Sequence, residues 1–223
     1  MSWPAAVLFD LDGTLVDTER QSADAMAIAL AAGQDVEVDA DDKLFIVGRS
    51  WVAIHERLRL RYPALRWSVE QLAAATADAR ERLLGDGGLT PLPGAVATVR
   101  RFPRRALVTG SSRREASHAL ELIGLGDAFP LMMASEDVAR SKPAPDGYQQ
   151  AARGLGVDPA ACLVFEDSVA GIAAARAAGC LVVAVRAGNF AGHDQAGADH
   201  IVDSLEAVDD ELLRWLAGRA AGR

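Results

Sequence analysis

The chain has 223 residues, with 23 Lys and Arg against 31 Asp and Glu and a net charge of −8. That acidity disfavours nucleic acid and anionic membrane surfaces as partners, and no apolar run approaches the ~20 residues that a bilayer-spanning helix needs. Hydrophobic residues make up 50% of the chain, ample for a core in one domain with an insertion or in two small domains. Cys162 and Cys180 lack metal-type spacing and read as buried free thiols of a reducing compartment. The start MSWPAAVLFD has neither the charged region nor the long apolar region of a signal peptide, so the expectation is a cytoplasmic enzyme.

In chain order, the first β-type run is AVLF, Ala6–Phe9. It leads into DLDGTLVDTE, which puts Asp10 and Asp12 at the exit of a buried strand and Asp17 five positions later. Like charges that close repel, and desolvating them adds to the cost. A bound cation is the first candidate to offset both. About ninety-five residues separate AVLF from the next strand, far more than a connection needs, and about seventy of them read as helices. ERQSADAMAIALAAG is apolar at Ala23, Met26, Ala27 and Leu30 with Gly33 as a stop, and SWVAIHERLRLRY and SVEQLAAATADARERLL follow. GDGGLTPLPG, Gly85–Gly94, reads as a linker.

Further strands are expected at Arg105–Thr109, Leu131–Ser135, Cys162–Asp167, Leu181–Val185 and His200–Val202, separated by stretches of helical periodicity. Ser112 to Glu115 fits a capping box, with that helix ending at Gly124, and Gly179 ends a helix that begins near Ser168. Alternation of this kind predicts an α/β fold, a Rossmann-like parallel-sheet core covered on both faces. The core is expected from residues 1–16 and 89–223, with a helical cap at 17–88 inserted after the first strand. Open α/β sheets bind ligands at that end of their strands, so an insert there is well placed to act as a lid.

Four motifs fall at the C-terminal ends of strands: DLDGT with Asp10 and Asp12, LVTGSS with Thr109, SKPAPDGY with Lys142, and VFEDSVAG with Glu166 and Asp167. With these strands adjacent, all would converge on one rim. In order and spacing the set resembles the haloacid dehalogenase-like hydrolases, in the branch with a helical cap after the first strand. Within them the chain is similar to the sugar phosphatase and β-phosphoglucomutase-like group. The resemblance covers nearly the whole chain.

It implies Asp10 as a nucleophile that forms an aspartyl-phosphate. Asp12 would be the acid that protonates the leaving alcohol and then the base that activates water. Lys142 would neutralise charge on the nucleophile and the phosphoryl oxygens, which Thr109 and the Gly110 N–H would also bind. It also implies Mg²⁺, held by the Asp10 carboxylate, the Asp12 carbonyl and Asp167. Glu166 is open to two readings, as a further ligand or as a residue behind the ligands. Asp17 reads as a hinge or helix-cap residue.

In the cap, VGRSW carries Arg49, which would reach the substrate's leaving group or else be a solvated cation. His55 reads as a packed or surface histidine, Trp51, Trp67 and Trp215 as core or interface residues, and Arg113 and Arg114 as surface charges. His118, His193 and His200 carry no assignment.

The leading function is a Mg²⁺-dependent phosphatase of a small phosphorylated metabolite, a sugar phosphate. The alternatives are a phosphomutase of the β-phosphoglucomutase type and, in another class, a binding or regulatory protein without turnover. A dehalogenase is disfavoured, because that branch lacks the second aspartate, here Asp12. In the mutases a histidine on the first cap helix helps couple sugar binding to closure. The position matching by count is Ser22, which favours hydrolysis, as does Thr14 after Gly13.

Overall fold

The structure is a computed structural model that describes residues 3–46, 51–85, 89–190 and 192–221. The chain divides into two compact units, one of Met1–Asp17 with Thr90–Arg223 and one of Thr18–Leu89.

The first unit is built on six strands: β1 (Ala6–Phe9), β2 (Arg105–Val108), β3 (Met132–Met133), β4 (Cys162–Glu166), β5 (Leu181–Val185) and β6 (His200–Val202). Their order is β3-β2-β1-β4-β5-β6 and every pairing is parallel. The helices between them are α5 (Ala95–Arg101), α6 (Arg113–Leu122), α7 (Asp146–Gly154) and α8 (Val169–Ala177), and α9 (Asp210–Ala221) follows the last strand. Strands β1, β4 and β5 are buried at every residue, as a sheet covered on both faces requires. Alternate residues serve the two faces. Ala6, Leu8, Val164, Val182 and Tyr148 share one cluster. From the intervening positions, Phe9 and Phe165 stack with ring centroids 5.4 Å apart.

The second unit, in its described residues four helices with a core of their own, is one uninterrupted insertion after β1. They are α1 (Thr18–Gln34), α2 (Ala40–Ile46), α3 (Trp51–Arg61) and α4 (Val69–Gly85). Ala23, Met26 and Leu30 recur at helical spacing and pack with Ile46, Ile54, Leu58, Leu65 and Leu72. A second stripe of Ala25 and Ala29 packs against Ala79, whereas Ala27, expected on the apolar face, is only half-buried.

Several local expectations need correcting. Gly33 does not stop α1, which runs on to Gln34. Its lack of a side chain serves packing, because a Cβ there would overlap the Trp67 ring; the left-handed backbone falls at Asp35, with φ 52°. The strand expected at Leu131–Ser135 shrinks to Met132–Met133, since Ser135–Asp137 coils into a 3-10 turn. Of the tryptophans read as core or interface residues, Trp51 and Trp215 lie outside the core, 39% and 47% exposed; Trp215 packs against His200, with ring centroids 5.2 Å apart.

The chain leaves and re-enters the first unit side by side. Leu92 N–H donates to the Leu15 carbonyl at 2.9 Å, and Val16 bridges Pro91 in antiparallel fashion. Among the described residues no helix is long and apolar enough to cross a membrane.

Candidate active site

Strand order and register bring the four motifs together. β1 lies between β2 and β4, and the last β1·β4 pair is Phe9 with Phe165. Asp10 therefore leaves β1 level with Glu166, the last residue of β4, and its N–H donates to the Phe165 carbonyl at 3.0 Å. Thr109 follows β2 and donates its N–H to Met133 of β3 at 2.9 Å. Gly13 turns the chain with φ 80°, and a side chain there would strike the Asp167 carboxylate; glycine meets both demands.

The carboxylates gather around one ammonium. Lys142, 16% exposed, hydrogen-bonds through Nζ to Asp10 Oδ1 and, at 2.6 Å, to Glu166 Oε1. Burial alone would lower the lysine's pKa, but Asp10 and Glu166 overcome it and hold the ammonium well above its usual value. Asp10 is pushed well above the usual carboxylate range. Burial is the main cause, with Glu166, Asp167 and Asp12 adding to it against the pull of Lys142. The site thus concentrates more negative charge than a single ammonium offsets. Asp10, Glu166 and Asp167 each bring a carboxylate oxygen within 4.8 Å of the others, an arrangement that could hold a divalent cation.

Glu166 is completely buried, and an isolated buried carboxylate would cost several kcal/mol. Its two oxygens are heavily engaged. Oε1 accepts from Lys142 and from the Tyr148 hydroxyl at 3.1 Å. Oε2 accepts from the N–H groups of Asp167 and Ser168 and from the Ser168 hydroxyl, each at 2.9 Å. These five donors take up all of a carboxylate's capacity of about four lone-pair sites. Asp167 lies differently, half-buried, with Oδ1 accepting from the Thr14 hydroxyl at 3.1 Å. Ser168 also caps α8, accepting from Gly171 N–H at 3.0 Å.

Asp12 meets the β2 side of the rim. Its Oδ2 accepts from Ser111 Oγ at 2.6 Å and lies 3.4 Å from Thr109 Oγ1. Gly110 is exposed, with open space where a side chain would stand. A small cavity of about 20 Å³ is lined by Thr109, Gly110, Ser135, Lys142 and Tyr148. A larger surface groove of about 670 Å³, lined by Pro91, Leu92, Arg101, Leu205 and Val208 among others, contains none of these carboxylates.

Asp10, Asp12, Thr109, Lys142, Glu166 and Asp167 thus lie together, with Gly110 on the same rim. Arg49 lies outside the described residues. The sequence reading passed over three residues that the structure brings in. Tyr148 is fully buried, with Lys142 Nζ 5.4 Å from its ring centroid. Gln195 is buried and donates from Nε2 to the carbonyls of Asp167 at 2.7 Å and Val185 at 2.9 Å. Ser111 is the third. Tyr148 and Ser111 stand inside motifs already singled out, so their place in the sequence was a usable signal; Gln195 carries none. In the second unit His55 is a packed residue, its Nε2 2.7 Å from the Trp67 carbonyl. Ser22 donates its hydroxyl to Thr18 O at 2.9 Å.

A parallel sheet that gathers carboxylates and a lysine on one rim is a layout suited to a hydrolase. The model of the haloacid dehalogenase-like hydrolases matches residues 4–179, and the chain belongs to that family, as a phosphoric monoester hydrolase. It is 34% identical over 220 residues to Protein CbbY of Rhodobacter capsulatus, covering 93% of this chain and 96% of that one. It is 34% identical over 186 residues to the fructose-1-phosphate phosphatase YqaB of Escherichia coli, covering 82% and 96%. Among solved structures it resembles a haloacid dehalogenase family hydrolase of Deinococcus radiodurans with bound phosphate and sodium. That likeness has a TM-score of 0.75 and 26% identity, over 97% of this chain and 96% of that one.

Proposed function

We propose that this chain is a Mg²⁺-dependent phosphatase that hydrolyses a small phosphorylated metabolite, a sugar phosphate, through an aspartyl-phosphate on Asp10. The observation that carries the reading is the Asp10–Lys142–Glu166 cluster on the rim, with Asp12 two residues beyond the nucleophile. Asp10 attacks phosphorus as the ester bond breaks, and Asp12 gives the departing oxygen its proton. Water then attacks the aspartyl-phosphate and Asp12 takes the water's proton. Lys142 stays charged throughout, holding Asp10 and offsetting charge on the phosphoryl oxygens. The Thr109 hydroxyl and the Gly110 N–H are donors for those oxygens.

The carboxylate-rich donor set fits a hard divalent cation. Asp10, Asp167 and the Asp12 carbonyl would hold it. Glu166, whose oxygens are taken by Lys142, Tyr148 and the start of α8, would instead hold the lysine. When bound, the cation would neutralise the carboxylates and make room for a phosphate dianion.

Residues 18–89 act as the cap, moving on the paired segments Leu15–Val16 and Pro91–Leu92. The substrate class is supported by the E. coli relative, named for fructose 1-phosphate, and by the phosphate in the D. radiodurans hydrolase. Two cysteines kept as free thiols suit a reducing compartment such as the cytoplasm.

The test is phosphate release from 4-nitrophenyl phosphate and a panel of sugar phosphates, with Mg²⁺ and with excess EDTA, by the wild type and Asp10→Asn. Release that needs Mg²⁺ and vanishes in the near-isosteric amide is expected. No release by the wild type from any ester would favour a binding or regulatory protein.

A further inference from the structure

Asp12 has a partner to which the proposed chemistry gives no role. The Ser111 hydroxyl donates to Asp12 Oδ2 at 2.6 Å, whereas Thr109 Oγ1 is 3.4 Å from the same oxygen. Hydroxyl-to-oxygen bonds run about 2.5–3.0 Å, so Ser111 is the principal partner. Ser111 is itself held at both ends of its backbone. Its N–H donates to Thr109 Oγ1 at 3.0 Å, and its carbonyl accepts from Ser135 N–H at 3.1 Å. A serine side chain has one torsion before its oxygen, so a fixed backbone leaves the hydroxyl few places to go. The aspartate is less constrained, because the torsion of a carboxyl group is broad and two-fold.

We propose that Ser111 is a positioning residue for proton transfer. By holding Oδ2 it sets the rotation of the Asp12 carboxyl group and leaves Oδ1 as the atom that exchanges protons. This rests on the aspartyl-phosphate reading of Asp10 and Asp12. In the first half-reaction a bond forms from Asp10 to phosphorus, the ester P–O bond breaks, and the departing oxygen takes its proton from Asp12. In the second, a water oxygen bonds to phosphorus, the bond to Asp10 breaks, and the water's proton goes to Asp12. One side chain must therefore present the same oxygen to two different groups, once as acid and once as base. With the proton on Oδ1, Oδ2 stays an acceptor whether the Asp12 carboxyl group is ionised or neutral, so the hydroxyl that donates to Oδ2 serves both states. A misplaced proton donor slows only reactions that need the proton, which separates positioning from general support of the site.

The experiment compares kcat/KM, which reports phosphorylation of Asp10, for 4-nitrophenyl phosphate and phenyl phosphate with the wild type, Ser111→Ala and Ser111→Thr. The two esters are close in shape. Nitrophenolate departs readily unprotonated, whereas the far more basic phenolate gains from a proton. General acid catalysis contributes roughly 10²–10⁴-fold where it is needed. Ser111→Ala should therefore lower kcat/KM on phenyl phosphate about tenfold or more beyond any loss on the nitrophenyl ester. Ser111→Thr, which keeps the hydroxyl, should restore the wild-type ratio. Equal losses on the two esters would assign Ser111 to structure or substrate binding and overturn the proposal alone, as would no loss. A wild type that releases phosphate from neither ester, nor from any sugar phosphate of the panel, would overturn the phosphatase reading and this proposal with it.

Discussion

Gly171, in the first turn of α8, lies so close to Glu166 that a Cβ would overlap the carboxyl group. Glu166 can reach Lys142 only because this position of α8 has no side chain. Gly171→Ala should therefore displace Glu166 and, through it, the lysine. Overpacking of this kind costs about 1–3 kcal/mol. The expected outcome is a folded protein with a lowered melting temperature and phosphate release reduced at least about tenfold, since small misplacements near the reacting atoms are costly. Circular dichroism with a turnover assay checks it. Wild-type turnover in Gly171→Ala would mean that the Glu166–Lys142 contact does not matter to catalysis.

Asp42 is a fully buried carboxylate of the second unit. It accepts from Arg57 at 3.0 Å, Arg61 at 2.6 Å and the Tyr62 hydroxyl at 2.5 Å, tying α2 to α3 and to the residue that follows it. Removing one partner of a buried pair costs about 3–5 kcal/mol. Here the two arginine side chains are 34% and 38% exposed, so solvent screens part of that cost. Asp42→Ala should lower the unfolding free energy by about 2 kcal/mol, measured by urea denaturation of the full chain. A change within about 0.5 kcal/mol, the range of an ordinary surface substitution, would mean that this network is not holding the unit.

The sheet was readable in the sequence because β1, β4 and β5 are short apolar runs buried on both faces, each bounded by turn residues. β3 was overdrawn because LMMAS has strand composition, while Asp137 accepts from Ala134 N–H at 2.8 Å and coils the chain there instead. Gly33 was taken for a helix stop because glycine often is one; the Trp67 ring that explains it lies far along the chain. Asp10, Thr109, Glu166 and Asp167 were visible because polar residues at the ends of buried strands stand out locally, and Lys142 because it stands in the motif SKPAPDGY ahead of α7. Ser111, Tyr148 and Gln195 were not, because each is defined by a partner 99, 18 or 28 positions away. Ser111 was further hidden by its neighbour, since Ser112 forms the capping box of α6.

Asp167 is the proposed cation ligand with a support of its own, because Thr14 Oγ1 donates to its Oδ1. Partners of ligands typically contribute 10–100-fold to metal affinity. Thr14→Val should weaken Mg²⁺ activation by about tenfold, and Asp167→Ala by more than about a hundredfold. Titrating activity against Mg²⁺ measures both. Ca²⁺, which takes more ligands at longer distances, should support little turnover. An unchanged Mg²⁺ requirement in Asp167→Ala would move the metal site elsewhere.

The last expectation separates hydrolysis from isomerisation. In the proposed chemistry both begin with phosphorylation of Asp10 and differ in what meets the aspartyl-phosphate. A mutase must exclude water and pass the phosphoryl group to a second hydroxyl of a sugar. In the mutases the chain resembles, a histidine on the first cap helix assists that closure, and Ser22 is the position that matches it by count. Ser22 is too short to replace an imidazole and carries no charge. Its hydroxyl is also engaged with Thr18 O within α1. With that help absent, water should win. Supplied with β-glucose 1-phosphate and catalytic glucose 1,6-bisphosphate, the enzyme should release inorganic phosphate and form little glucose 6-phosphate. Coupled assays for the two products decide the matter on a single sample. Rapid isomerisation without phosphate release would make the chain a mutase, with a residue other than Ser22 performing the coupling.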